Sequence, residues 1–145
     1  MAPEQAADSV VILATPEVVA EATLDFESYP VWARSIRSAL VKERDHEGRP
    51  SIVAFEAAAL GWRVHYTLRY DYAELPMSYS WDLVEGDPKL VEGGYYFDDL
   101  GSGRTRVTYC LLVDLGIPLP GFVLRRAERL VLSLALKELK AYVET

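Results

Sequence analysis

A chain of 145 residues, 50% apolar and 26% charged, has the size of one domain that can bury its own core, so a single unit over residues 1–145 is expected. Its net charge of −7 repels phosphate backbones and anionic surfaces, which argues against a nucleic-acid partner. One cysteine, Cys110, and two histidines, His46 and His65, provide neither a disulfide framework nor a zinc ligand set of usual spacing, so no metal and no cofactor is expected.

The chain starts with MAPEQAADS, which lacks the basic and apolar regions of an export signal. No apolar run reaches the ~18 residues of a membrane span, so a cytoplasmic protein with no integral membrane segment is expected. Residues 9–14 (SVVILA) are a β-branched run ended by Thr15, Pro16 and Glu17. That triplet starts a helix: Thr15 can cap it, Pro16 suits the first helical position, and Glu17 meets the positive end of the dipole. The helix, through Val18, Val19, Ala22 and Leu24, is short. It is interrupted at DFESYP, since Pro30 disfavours the α region for the residue before it, and a second brief helix carries Val31, Trp32 and Ile36. Six further strands follow, at 37–45, 50–59, 62–73, 77–85, 89–98 and 104–115, separated by HEGRP, Leu60-Gly61, Glu74-Leu75-Pro76, EGDP and LGSG. Seven strands with links this short are antiparallel neighbours.

The strands have two faces. Trp62, Val64, Tyr66, Leu68, Tyr70 and Tyr72 alternate with Arg63, His65, Thr67, Arg69 and Asp71, and Val107, Tyr109, Leu111 and Val113 alternate with Arg106, Thr108, Cys110 and Leu112. This is the period of a sheet that is dry on one side. The run LPGFVLRRAERLVLSLALKELKAYV, residues 119–143, is the cover for that side. Pro118, Pro120 and Gly121 stop the last strand and begin a long helix. On a helical wheel Arg125, Arg126, Arg129, Ser133, Lys137 and Lys140 fall on one side. Val123, Ala127, Leu130, Val131, Leu134 and Ala141 fall on the other, which is expected to face the sheet. The expected fold is α+β: a curved seven-stranded antiparallel sheet wrapped around a long C-terminal helix, with two short helices after strand 1.

Several stretches carry a resemblance: TPEVVAEATLDFESYPVWARSI early, YSWDLVEG and LVEGGYYF in the middle, then GRTRVTYCLLVDLGIPLPGFVLRRAE and the ALKELK helix. Over residues 9–143 the chain resembles the START-related, helix-grip SRPBCC superfamily, in its polyketide cyclase/dehydrase and lipid-transport branch, which includes coenzyme-Q-binding proteins. The resemblance implies a helix-grip fold with a hydrophobic ligand cavity between sheet and C-terminal helix. It does not fix a reaction.

Within that frame Phe55, Val64, Tyr66, Leu68, Tyr70 and Trp81 are expected to line one part of the cavity, and Tyr95, Val107, Tyr109 and Leu111 another. Ala127 and Val131 face them from the helix. Each of these is equally a core residue, but buried tyrosine hydroxyls want partners, and a polar-tipped ligand would supply some. Trp32 matches the family's aromatic in the helical entry segment, where it either gates the cavity or packs the Pro30 bend. Glu138 falls inside the apolar arc of the final helix, where a carboxylate needs a partner such as a strand arginine, solvent, or a ligand. Arg63, His65 and Arg69 read as a solvated outer face, and His46 sits in a charged hairpin turn without a role. Aromatase/cyclase members place an arginine inside the cavity, which here requires a bulge that flips the strand register.

Three functions remain open from the sequence: carriage of a lipid, isoprenoid or polyketide-like molecule; a polyketide aromatase/cyclase or dehydratase; and an interaction module with no ligand. A hydrophobic small molecule is the expected partner, and a protein partner or a second copy of the chain is left open. An apolar tunnel favours the carrier, an inward Arg–Tyr or Glu–Tyr cluster the enzyme, and a filled interior the module.

Overall fold

The computed structural model describes residues 5–59, 61–116 and 118–145. Residues 1–4 and Leu60 of the turn before Gly61 lie outside it, as do the side chains of Ala59 and Trp62.

The chain begins in β1 (Ala6–Ile12) and enters α1 (Pro16–Leu24). Thr15 caps α1 by accepting from the Val18 amide at 3.4 Å, with Pro16 in the first turn and Glu17 at the dipole's positive end. A 3-10 turn at Phe26–Ser28 leads into α2 (Tyr29–Trp32). Six strands follow: β2 (Ile36–Arg44), β3 (Pro50–Ala59), β4 (Trp62–Asp71), β5 (Ser78–Gly86), β6 (Leu90–Gly101) and β7 (Arg104–Asp114). The chain then turns into α3 (Gly121–Glu144).

The strands form one sheet in the order β1-β7-β6-β5-β4-β3-β2, with every neighbouring pair antiparallel. β2 to β7 are a meander, as their short links require. β1 joins β7 instead of β2, so α1 and α2 carry the chain from one edge of the sheet to the other. This is the helix-grip α+β fold, with a long C-terminal helix against an open antiparallel sheet. The strand limits fall within three residues of expectation. β6 runs furthest past it, into the irregular turn at Asp99–Gly101.

One end of the inner face is packed solid. Ile12, Val19, Phe26, Val53, Phe97 and Val107 lose nearly all contact with solvent, with α1 and the 3-10 turn plugging the sheet. Thr23 and Tyr29 close this end with hydrogen bonds to the Ala20 and Thr23 carbonyls.

The facing of α3 differs from the wheel. Its buried positions are Glu128, Leu132, Leu136 and Leu139, whereas Leu130, Val131 and Leu134 are exposed. The run carries two apolar stripes at helical spacing, offset by about 160°, so periodicity alone does not say which one meets the sheet. Tertiary contacts decide it. Lys140 Nζ donates to the Val11 carbonyl at 2.7 Å, and Glu144 Oε2 accepts from the Leu13 amide at 2.8 Å and from Lys140 at 2.6 Å. These bonds occupy backbone groups of an edge strand that would otherwise lie open. They also fix the roll of the helix, so Lys140, expected on the far side, packs toward β1.

Candidate functional site

The aromatic side chains of the inner face form a continuous belt. Phe55 lies opposite Tyr66 and stacks on it with ring centroids 5.3 Å apart. Tyr70 pairs across the sheet with Trp81 at 5.8 Å, Trp81 meets Tyr95 at 5.5 Å, and Tyr95 lies 4.7 Å from Tyr109. The belt therefore runs from β3 to β7. Two glycines make room for it. A Cβ on Gly93 would stand 2.7 Å from the Trp81 ring and 2.6 Å from the Cys110 carbonyl, so the indole lies flat on β6 only because that position is glycine. At Gly86, which has φ of 142°, a side chain would strike the backbone of His65 and Tyr66.

Burial varies along the belt. Phe55, Leu68, Trp81, Tyr95, Val107 and Leu111 are buried. Val64, Tyr66, Tyr70 and Tyr109, in the same inner phase, keep part of their surface uncovered, as does Leu83. Desolvation raises the pKa of Tyr66 and Tyr70 far above the ordinary tyrosine value, and that of Tyr109 to about 12. Tyr29 and Tyr72 donate to the Thr23 and Pro50 carbonyls. The hydroxyls of Tyr66, Tyr70, Tyr95 and Tyr109 find no hydrogen-bond partner among the described residues.

Among the described residues the buried Trp32 Nε1 has no hydrogen-bond partner, and the buried Tyr79 hydroxyl has none beyond the hydroxyls of Thr23 and Tyr29 next to it. Tyr79 lies beside Thr23 and Tyr29, whose own hydroxyl hydrogens go to carbonyls. Trp32 stacks on Tyr142 at 5.5 Å and meets Tyr29 at 4.9 Å, against the C-terminal end of α3. Glu138 belongs to the same junction. Its Oε2 accepts from the Arg34 amide at 3.0 Å, so its partner lies in the α2–β2 link, not on a strand. Tyr142, on which Trp32 stacks, is eleven residues of helix from Val131, about 16 Å along the axis. Trp32 and Glu138 thus sit at the C-terminal end of α3, and Trp32 connects to the belt through Tyr29, whose ring lies 6.2 Å from Phe55. Ala127 is half-buried and Val131 exposed on the flank of α3.

Arg63, His65 and Arg69 face outward. Arg69 pairs with Asp82 at 2.8 Å, and His65 lies 2.9 Å from Glu56. The strand alternation of β4 holds from Arg63 to Asp71, because the irregularity between β4 and β5 is taken up by the extra residue of β5. The charged group that does reach the interior is Glu128. Its Oε2 accepts from the Val113 amide at 2.9 Å. The paired part of β1 begins at Ala6 opposite Leu111, so Val113 lies beyond it, and Glu128 supplies the acceptor that a neighbouring strand would have given. The sequence reading missed Glu128, and the signal was there: a lone acid among three arginines. It missed Tyr79 as well, although Tyr79 and Trp81 share a phase of β5. Among the described residues no group of His, Cys, Asp and Glu could hold a metal ion.

The sequence matches a family model described as polyketide cyclase/dehydrase and lipid transport over residues 4–144. The chain belongs to this family. Among solved structures, a START superfamily protein from Mycobacterium smegmatis is 24% identical, covers 98% of each chain and superposes with a TM-score of 0.92. A Thermus thermophilus protein is 23% identical over 96% of each chain, with a TM-score of 0.79. The Zhui aromatase/cyclase of Streptomyces is 15% identical over 97% of this chain and 93% of its own, with a TM-score of 0.80. At these identities the likeness is one of fold. No curated protein matches the sequence. In this member of the polyketide cyclase/dehydrase and lipid-transport family the inner face carries a row of tyrosines, and Arg63 and Arg69 of β4 face outward. No helix among the described residues is long and apolar enough to cross a membrane.

Proposed function

We propose that this family member binds a hydrophobic small molecule bearing oxygen groups, held between the tyrosine belt and the N-terminal half of α3. The observation that carries the proposal is the state of Tyr66, Tyr70 and Tyr109. They lie on the inner face and are desolvated, yet they are partly uncovered and lack hydrogen-bond partners among the described residues. Uncovered surface on a desolvated inner residue fits a gap that a molecule can fill, and a free hydroxyl donor fits an oxygen acceptor on that molecule. A row of rings with hydroxyl tips suits a ring- or chain-bearing lipid, isoprenoid or polyketide-like compound better than a plain alkyl chain.

Carriage is favoured over turnover. With their pKa values raised, the tyrosines stay protonated near neutrality, so they donate hydrogen bonds and do not act as bases. The arginines of β4 point away, and the Glu128 carboxylate is engaged with the Val113 amide. Binding and release of an intact molecule asks nothing more of the site.

The test is organic extraction of the purified protein followed by mass spectrometry, with titration of a hydroxyanthraquinone and of an isoprenoid quinone followed by tryptophan quenching. Saturable quenching by at least one probe is expected, and recovery of that probe unchanged after prolonged incubation. Ala127→Trp, which fills the space beside the helix, is expected to fold and to weaken binding by about tenfold or more. A folded wild type that binds neither probe, together with an Ala127→Trp variant that does not fold, would show a solid interior and overturn the proposal. Conversion of a probe would replace carriage by catalysis.

A further inference from the structure

The N-terminal half of α3 also has an outer surface. Arg125, Arg126 and Arg129, with Phe122, line a shallow depression of about 230 Å³. Among the described residues none of the three guanidiniums makes an ion pair, although the chain carries seven more acidic than basic residues. The neighbouring carboxylate, Glu128, is turned inward to Val113. α3 has no acidic residue in its first turn and no side-chain cap. Arg125 and Arg129 stand four apart, and Arg126 and Arg129 three apart, so like charges repel along one face of the helix. The helix would hold better without them. Beside this cationic face stand exposed Phe122, Leu130 and Leu134.

We propose that this face docks an acidic, amphipathic helix of a partner protein. Charge complementarity selects an anionic partner, and guanidinium forks match carboxylates in pairs. The three arginines span about one turn of α3, which carboxylates at helical spacing on a partner can meet. Phe122 and the leucines supply the apolar anchor that arginine and aromatic residues form at interfaces. A flat anionic bilayer fits less well, since approach along α3 would bring the broadly acidic body against it, with only three cations to offset the repulsion. A helix can touch the patch alone.

The experiment uses the full chain and a fluorescent helical peptide of about five turns, with leucines on one face and glutamates at i, i+4 spacing beside them. Its controls are the same peptide with glutamine in place of glutamate, and vesicles of phosphatidylglycerol. Saturable binding of the glutamate peptide is expected, weakening about tenfold between about 50 and about 300 mM salt. The Arg125→Gln/Arg126→Gln/Arg129→Gln variant should lose at least about tenfold in affinity while its melting midpoint stays level or rises, because the repulsion has gone. Phe122→Ser should weaken binding with its salt dependence unchanged. The proposal is overturned if the glutamine peptide binds equally well, if the triple variant binds like wild type, if the triple variant melts lower than wild type, or if the protein floats with the vesicles and ignores the peptide.

Discussion

The two halves of α3 are made of similar residues and live in different environments. From Leu132 to the C-terminus, Leu132, Leu136 and Leu139 are at most 2% exposed, Lys140 bonds to Val11 of β1, and Glu144 bonds to Leu13 just after it. In the N-terminal half Glu128 is the buried residue, while Phe122, Leu130 and Val131 keep much of their surface. The C-terminal part is thus anchored by apolar burial along a strand edge, whereas the buried group of the N-terminal part is a carboxylate. The same division runs through the sheet below. The end plugged by Phe26 and Val19 is solid, whereas Tyr66 and Tyr109 are partly uncovered. A helix packed evenly along its length would make a stable domain with no interior to offer. Concentrating the packing at one end leaves the other with apolar surface uncovered, as the proposed binding requires.

The largest break in this comparison comes from charging the anchored half. Leu139→Asp buries a carboxylate with no partner at a cost of roughly 3–5 kcal/mol, a large part of a domain's total stability. Loss of the cooperative thermal transition is expected by circular dichroism. Val131→Asp, on the exposed flank, should change stability by about 0.5 kcal/mol or less. Equal losses from the two would mean that both stripes of α3 are buried.

The Glu128 tether is the next in size. Glu128→Ala leaves the Val113 amide without its acceptor, at a cost of about 1–3 kcal/mol. Glu128→Gln keeps a carbonyl oxygen and should recover most of it. Hydrogen exchange at Val113 reads the difference directly: faster in the alanine variant, near normal in the glutamine variant. Unchanged exchange in the alanine variant would remove the tether from the account.

The smallest effect near neutrality belongs to the tyrosines, and it grows with alkali. Their folded pKa values lie above the ordinary value of 10.0, reaching about 12 for Tyr109, so the folded state holds protons that the unfolded chain gives up. The stabilising contribution is therefore complete below about pH 10 and is lost as pH rises through the folded values. Tyrosinate absorbance should lag behind that of free tyrosine between pH 10 and 12 and then appear together with unfolding. Tyr109→Phe should shift this lag slightly and leave the neutral melting midpoint almost unchanged. A full tyrosinate signal at pH 10 from a still folded protein would show that the belt is open to bulk water.

The sequence by itself determined the architecture. Period-two alternation located the strands and their dry face, short links made them antiparallel, the Thr15-Pro16-Glu17 triplet started α1, and Pro118, Pro120 and Gly121 ended the last strand before α3. Each of these signals is local, because it depends on backbone geometry within a few residues. The inward phase of β4, β6 and β7 was legible for the same reason, and so was the membership of the tyrosine belt. The roll of α3 was not. Leu132, Leu136 and Leu139 compete with Leu130, Val131 and Leu134 for the sheet, and the choice rests on bonds from Lys140 and Glu144 to Val11 and Leu13, more than a hundred residues earlier in the chain. Glu128 escaped for a related reason. A carboxylate reads as surface until β7 is seen to outrun the paired part of β1 and leave the Val113 amide in need of an acceptor. Trp32 and Glu138 each had several possible partners in the sequence, and only the folded chain shows Trp32 stacked on Tyr142 and Glu138 on the Arg34 amide. Alternation says which way a side chain points, but only packing between distant segments says what it meets there.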